Sequence, residues 1–265
     1  MLTRAITGFF FIIVLVGSLL LGPEVFVLFF SFVGVWSMYE FYGITASEDI
    51  KPNKLIGLTT GVALATLIGL HCLDVIPFIY VWLFIPFFVA IFIITLFQKR
   101  KYPFHDIAYT ILGLIYACIP FLFFIAIGFI KGAFNPYLPL GFLILLWSND
   151  TGAYLSGRSF GKRKLFERIS PNKTWEGFIG GVLFAMILAM NLEQYFGILS
   201  KLEWTLMALI IGVFGTLGDL VESMLKRSLG VKDSGNILPG HGGLLDRFDG
   251  LLIAAPLVFI YLLLI

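Results

Sequence analysis

Residues Ser223–Asp249 read SMLKRSLGVKDSGNILPGHGGLLDRFD, and their setting decides the fold. These twenty-seven residues hold four basic side chains, three carboxylates, five glycines and His241, one of the three histidines in the chain. Apolar runs near 203–222 and 250–265 lie on either side, so the stretch is a polar loop pinned between two hydrophobic helices. Acids suited to a metal, bases suited to phosphate and glycines that let backbone approach a ligand are the components of phosphoryl chemistry. The apolar flanks place that chemistry at a membrane.

The rest of the chain agrees with the flanks. Of 265 residues, 59% are hydrophobic and only 13% charged, and 29 are Phe. A soluble domain carries about 25% charged residues, and no soluble core could hide this much apolar surface. The expected class is therefore an all-α, polytopic integral membrane protein. Cys72 and Cys118 are far apart and lack metal-like spacing, which argues against a disulfide framework or a zinc site. Arg4 and the apolar run to Leu21 resemble a signal peptide, but no small-residue cleavage site follows and further spans come at once. The expectation is a retained first helix.

A bilayer-crossing helix needs roughly 20 apolar residues. That length predicts about nine spans, near 5–22, 24–45, 55–73, 75–97, 107–130, 137–156, 176–193, 203–222 and 250–265, with Pro23, Pro77, Pro103 and Pro136 near the junctions. In this arrangement sixteen of the eighteen Lys and Arg residues fall on one side, and only Lys131 and Lys201 on the other. The bias of Lys and Arg toward cytoplasmic loops then puts the N-terminus and both large polar loops in the cytoplasm. No internal repeat is visible, so residues 1–265 are expected to form one membrane domain. Its N-terminal helical part, about 1–135, is variable, and its catalytic part is about 136–265.

Four clusters carry candidate chemistry. The sixth span ends WSNDTGAY over Trp147–Tyr154, and an Asp inside a span is costly and usually faces a polar cavity. Asp150 fits either that role or a structural pairing with a nearby base or donor. Farther on, Ser170-Pro-Asn-Lys173-Thr174-Trp-Glu176-Gly177 reads as a helix start, with Ser170 at the N-cap and Pro171 at the first helical position. Its free amides, with Lys173 and Thr174, would form an anion site; ordinary capping is the competing explanation. In the eighth span Asp219, Glu222 or Ser223, and Lys226 recur on one helical face, with Arg227 next in sequence. Asp246 and Asp249 then stand at i and i+3 in the first turn of the ninth. Favourable placement of acids at a helix start explains those two, but not Asp150 and Asp219 at the same membrane face. Acids arriving there from different helices suit a hard cation such as Mg²⁺, with Asp219, Asp246 and Asp249 as its expected ligands. Lys226, Arg227, Lys232 and Arg247, with Lys173, are the expected phosphate clamps. A single histidine without His or Cys partners does not suit zinc, and His241 either donates to a phosphate or the base, or holds the turn.

Taken whole, Ser223-x-Leu-Lys226-Arg227-x₄-Lys232-Asp233-x-Gly235-x₂-Leu238-Pro-Gly-His241-Gly-Gly-Leu-x-Asp246-Arg247-Phe-Asp249 resembles the signature of the phosphatidate cytidylyltransferase (CDP-diglyceride synthase) family. Asn149-Asp150-x₂-Ala153-Tyr154-x₂-Gly157 and Ser170-Pro-x-Lys173-Thr174-x-Glu176-Gly177 resemble further family motifs. The resemblance covers about 140–250 and before that rests on hydropathy alone. It implies that CTP and phosphatidic acid give CDP-diacylglycerol and pyrophosphate, that Mg²⁺ is required and a second cation is admitted, and that an all-helical membrane enzyme works as a homodimer. On this reading Asp219, Lys226, Arg227, Asp246 and Asp249 are catalytic. Asn149, Asp150, Ser170, Lys173, Thr174, Ser223, Lys232, His241 and Arg247 bind substrate.

The chemistry agrees with the resemblance. A lipid phosphate is already an anionic nucleophile, so no Ser–His pair is needed and none is evident. An active site facing the cytoplasm from the inner membrane lets acyl chains stay in lipid while CTP arrives from water. No nucleic-acid partner is expected. The competing readings are an ion-coupled transporter, in which intramembrane acids also occur, and a CTP-dependent lipid kinase, which would release CDP. Transporters usually place broken helices near the midplane in repeated halves, a pattern absent here.

Overall fold

The structure, a computed structural model, describes the chain apart from residues 1, 238, 239 and 241 and the side chains of residues 2–5. The predicted apolar segments fall on helices: α1 (Leu2–Leu20), α2 (Pro23–Thr45), α3 (Lys54–Cys72), α4 (Ile85–Leu96) after a 3₁₀ segment at Phe78–Phe84, α5 (Pro103–Gly113), α6 (Ile119–Ile127), α7 (Tyr137–Phe160), α8 (Trp175–Phe196), α9 (Lys201–Ser228) and α10 (Asp249–Leu264). A π-type turn over Leu114–Cys118 joins α5 to α6. Pro120 follows it and has no N–H to donate to a carbonyl one turn back, a common cause of such widening.

Among the described residues, six helical stretches are long and apolar enough to cross a membrane: Pro23–Thr45, Lys54–Cys72, Phe78–Leu96, Pro103–Ile127, Trp175–Phe196 and Lys201–Ser228. Ile6–Leu20 and Asp249–Leu264 are shorter apolar helices. Large apolar side chains such as Phe9, Phe97, Phe104 and Leu264 stand exposed on these helices and their ends, as lipid-facing residues do. The chain is an all-α membrane protein whose sheet, among the described residues, is one two-stranded hairpin.

The chain forms two compact units: residues 1–126 with 231–248, and residues 127–230 with 249–265. The polar segment Val231–Phe248 thus clusters with the N-terminal helices.

Within a bilayer, apolar packing gains little from the hydrophobic effect, so close approach at small residues and buried hydrogen bonds must hold helices together. Both devices operate in the first unit. The Tyr42 hydroxyl donates to Thr110 O at 2.6 Å, and the missing side chains of Gly57 and Gly113 make room for its ring. Asp106, buried at the start of α5, accepts the Lys51 amide at 2.7 Å and faces Arg100 at 3.8 Å. Phe248 closes the unit by edge-to-face packing on Phe11, Phe30 and Phe121, with ring centroids 5.8, 6.2 and 5.3 Å away.

In the second unit the crossings run through glycine. A Cβ on Gly181 of α8 would lie 2.6 Å from Asn149 O of α7, and one on Gly152 of α7 would lie 3.1 Å from Gly181 Cα. A Cβ on Gly218 of α9 would lie 2.6 Å from Asp249 O and 3.2 Å from Gly250 Cα of α10. These backbones touch because nothing stands between them. The sequence bears the signal, since Gly177 and Gly181 form the small-xxx-small spacing of packed membrane helices.

The predicted helix start at Ser170 is corrected. Ser170–Thr174 is a strand, β2, paired antiparallel with β1 (Lys164–Phe166). Helix α8 begins at Trp175 with Thr174 as its N-cap, extended at φ −126° and ψ 155°, and Thr174 Oγ1 accepts the Gly177 amide at 3.1 Å. Proline and β-branched threonine both tolerate extended backbone, and once the hairpin pairs, Thr174 is the first residue free to cap.

Candidate active site

The second unit encloses a cavity of about 500 Å³ whose lining includes Asp150, Tyr154, Arg158, Lys173, Thr174, Thr216 and Asp219. Three elements deliver its charges. Helix α7 brings Asp150, the end of β2 brings Lys173, and α9 brings Asp219. Lys173 Nζ lies 2.5 Å from Asp219 Oδ2, and Ser223 Oγ, one turn on, donates to Asp219 Oδ1 at 3.2 Å. Both members of the ion pair keep about a quarter to a third of their side-chain exposure, 26% and 36%. Such a pair contributes on the order of 0–1 kcal/mol to stability, so its significance is the placement of charge. Asp249 lies within electrostatic reach of Asp219 and Asp150, and all three acids share the field of Lys173. The Gly218–Gly250 crossing explains this approach, because each glycine adjoins one of the acids Asp219 and Asp249. Asn149 steadies the neighbouring turn by donating from Nδ2 to Thr216 Oγ1 at 3.3 Å.

Not every predicted clamp is exposed in the same way. Lys226 faces Glu222 at 2.6 Å, and the Glu222 side chain is 1% exposed. This lysine therefore supports a buried acid on its own helix, whereas Arg227 is exposed. The start of α8 is also partly spoken for: Trp175 N–H donates to Arg163 O, and the Glu176 carboxylate accepts the amides of Lys162 and Arg163. Ser170 lies in β2, half-buried.

The first unit holds the remainder of the predicted set. Asp246 is 7% exposed, and its Oδ2 accepts the amides of Ser234 and Gly243, each at 2.8 Å, and the Ser234 hydroxyl at 3.0 Å. Lys232 and Arg247 stand exposed on the same segment. His241 lies outside the described residues.

The cavity of the second unit suits one kind of work. Asp150 and Asp219 line one cavity and, with Asp249, share the field of a single ammonium, an excess of negative charge that a cation would relieve. Lys173 and Arg158, which line the same cavity, suit phosphate.

A model of the cytidylyltransferase family matches residues 2–265. The chain belongs to the cytidylyltransferase family. Its relatives include a phosphatidate cytidylyltransferase of Staphylococcus aureus (strain COL), 37% identical over 266 residues and covering 99% of both chains. A Bacillus subtilis (strain 168) protein of that name is 45% identical over 171 residues, 64% of this chain and 62% of its own. A third, from Staphylococcus epidermidis (strain ATCC 12228 / FDA PCI 1200), is 42% identical over 171 residues, 64% of each chain. The family resemblance of the signature motif is thus borne out, and it extends to the N-terminal helices, where only hydropathy spoke for it.

The family reading implies a divalent cation, and the residues fit it in a limited way. Among the described residues, no three Asp, Glu, His or Cys side chains form a group arranged to hold a metal ion. Mg²⁺, however, is usually held by one or two carboxylates together with substrate phosphates rather than by an all-protein cage. Asp219 and Asp249, in one unit and in each other's field, suit that smaller role.

One residue escaped the sequence reading. Glu40 sits in α2 and is 5% exposed. It accepts the Leu244 amide at 3.1 Å, the Leu245 amide at 2.9 Å and the Ser234 hydroxyl at 3.3 Å. The signal was available, since an acid inside a span is as costly at position 40 as at 150.

Proposed function

We propose that the chain transfers the cytidylyl group of CTP to phosphatidic acid, with Mg²⁺, releasing pyrophosphate and leaving CDP-diacylglycerol in the membrane. The observation that carries this reading is the Lys173–Asp219 pair, with Asp150 and Asp249 in its field, in a family member alike over 99% of its length to a protein named for that activity.

In this reaction an oxygen of the lipid phosphate attacks the α-phosphorus of CTP. The bond from that phosphorus to the oxygen bridging to the β-phosphate breaks in line, and its electron pair leaves with pyrophosphate. The nucleophile is anionic from the start, so no side chain has to remove a proton. The work left to the protein is alignment and charge neutralisation. Lys173, Arg227, Lys232 and Arg247 supply positive charge to the phosphates, and Lys226 holds Glu222 beside them in sequence. Ser223 orients the Asp219 carboxylate. Asp219 and Asp249 would hold Mg²⁺, which when bound neutralises phosphate oxygens and polarises the attacked phosphorus. For Asp246 a metal role rests on its i, i+3 spacing from Asp249.

Nine spans put the N-terminus, residues 157–175 and residues 226–247 on the cytoplasmic side of the inner membrane, supported by the sixteen-to-two division of Lys and Arg. The active species is a homodimer.

Product analysis tests the function. Purified protein given CTP, phosphatidic acid and Mg²⁺ should release pyrophosphate in step with CDP-diacylglycerol. Release of CDP would indicate a lipid kinase, and consumption of neither substrate would leave the transporter reading standing in its place.

A further inference from the structure

We infer that Glu40 is a positioning residue for nucleotidyl transfer: it holds the Val231–Phe248 segment closed by gathering amides from one end of the loop and a hydroxyl from the other. The inference rests on the reading of this segment as part of a cytidylyltransferase.

An acid within an apolar span needs compensation. Among the described residues no Lys or Arg forms an ion pair with Glu40. Its two oxygens take four neutral donors instead. Oε1 accepts Trp36 Nε1 and the Leu244 amide, both at 3.1 Å, and Oε2 accepts the Leu245 amide at 2.9 Å and Ser234 Oγ at 3.3 Å. The Ser234 hydroxyl also lies 3.0 Å from Asp246 Oδ2, so its single proton is shared between two buried carboxylates. Asp246 in turn takes the amides of Ser234 and Gly243. Residue 234 and residues 243–245 are thereby tied together.

The glycines of the motif gain a specific reason. A Cβ on Gly235 would stand 2.5 Å from Glu40 Oε1, and one on Gly243 would meet Glu40 and Ser234. A Cβ on Gly242, at φ +83°, would lie 2.6 Å from Asp246 Oδ2. These three positions are bare so that two carboxylates can reach backbone amides. Nothing about spanning a membrane requires this. The lock fixes a short polar segment carrying Lys232, Asp246 and Arg247, which runs directly in sequence to Asp249.

Glutamine at position 40 keeps the shape but replaces one acceptor oxygen with an NH₂ group, leaving at least one buried donor facing a donor. The closed loop should then be disfavoured by roughly tenfold to a hundredfold. The test compares wild type, Glu40→Gln, Glu40→Ala and Ser234→Ala in detergent by three measurements: thermal melting, the rate of tryptic cleavage after Lys232 or Arg247, and kcat and KM for CTP and phosphatidic acid. The expected result for Glu40→Gln is kcat lower by about tenfold or more, faster cleavage at those sites and a melting temperature close to wild type, with Ser234→Ala intermediate. Wild-type kcat in Glu40→Gln would overturn the inference. So would faster cleavage with unchanged kcat, or a loss of activity that only follows a loss of melting temperature. Should wild type release no pyrophosphate, the functional reading fails, and the cleavage comparison still reports whether Glu40 closes the loop.

Discussion

Lys173 Nζ lies 2.5 Å from Asp219 Oδ2, while Ser223 Oγ holds the other oxygen of that carboxylate at 3.2 Å. A strand end and a helix therefore meet in one charge pair at the wall of the cavity. Because the pair is partly exposed, Lys173→Ala should change stability by less than about 1 kcal/mol. It should nevertheless lower kcat/KM by about a hundredfold, as expected for loss of a group that neutralises transition-state charge. Melting curves and steady-state kinetics on the same preparation check both halves.

Lys226 and Arg227 are neighbours in sequence with opposite expected phenotypes. Lys226→Met leaves the Glu222 carboxylate buried without its ammonium, which should cost about 3–5 kcal/mol. Arg227→Ala is exposed and should leave the melting temperature unchanged while raising KM for CTP or phosphatidic acid. Equal melting temperatures for the two variants would contradict the separation of roles.

Gly218→Ala should act through the backbone. The added Cβ meets Asp249 O at 2.6 Å and must push α9 from α10, an overpacking that costs about 1–3 kcal/mol. Activity should fall further than stability, because the same displacement moves Asp219 from Asp249. Measuring pyrophosphate release well below the melting temperature of the variant separates the two effects.

Much of this was legible in the sequence. Composition gave the class, and apolar run lengths located the helices to within a few residues. The signature loop also led to the family. Asp219, Asp246 and Asp249 formed one expected group by their spacing, whereas Asp219 and Asp249 lie in one unit and Asp246 in the other, a division that spacing along the chain does not announce. The helix start at Ser170 was misread because Ser-Pro is equally comfortable in extended backbone, and the decision fell to pairing with Lys164–Phe166, which no local signal announces. Glu40 was missed for a related reason. Its partners lie about two hundred residues away in sequence, at Ser234, Leu244 and Leu245, and only the folded chain brings them together.

The membrane arrangement is open to direct labelling. In a background of Cys72→Ser and Cys118→Ala, single cysteines at the exposed positions Ser159, Asn236 and Ser200 report sidedness in intact cells. An impermeant thiol reagent should label the Ser200 variant and spare the other two. Labelling of one but not the other of Ser159 and Asn236 would contradict a common cytoplasmic face.

If the Lys173–Asp219–Asp249 group carries cytidylyl transfer, label from CTP should reach the lipid only while that group and Mg²⁺ are both in place. Wild type and Asp219→Asn are given CTP labelled at the α-phosphorus, phosphatidic acid and Mg²⁺, and label entering the lipid phase is followed over time. Transfer by wild type should stop on chelation and resume with added Mg²⁺, and transfer should be lower by at least about a hundredfold in an Asp219→Asn protein that melts as wild type does. Near wild-type transfer by Asp219→Asn, or transfer indifferent to chelation, would contradict that role for the group.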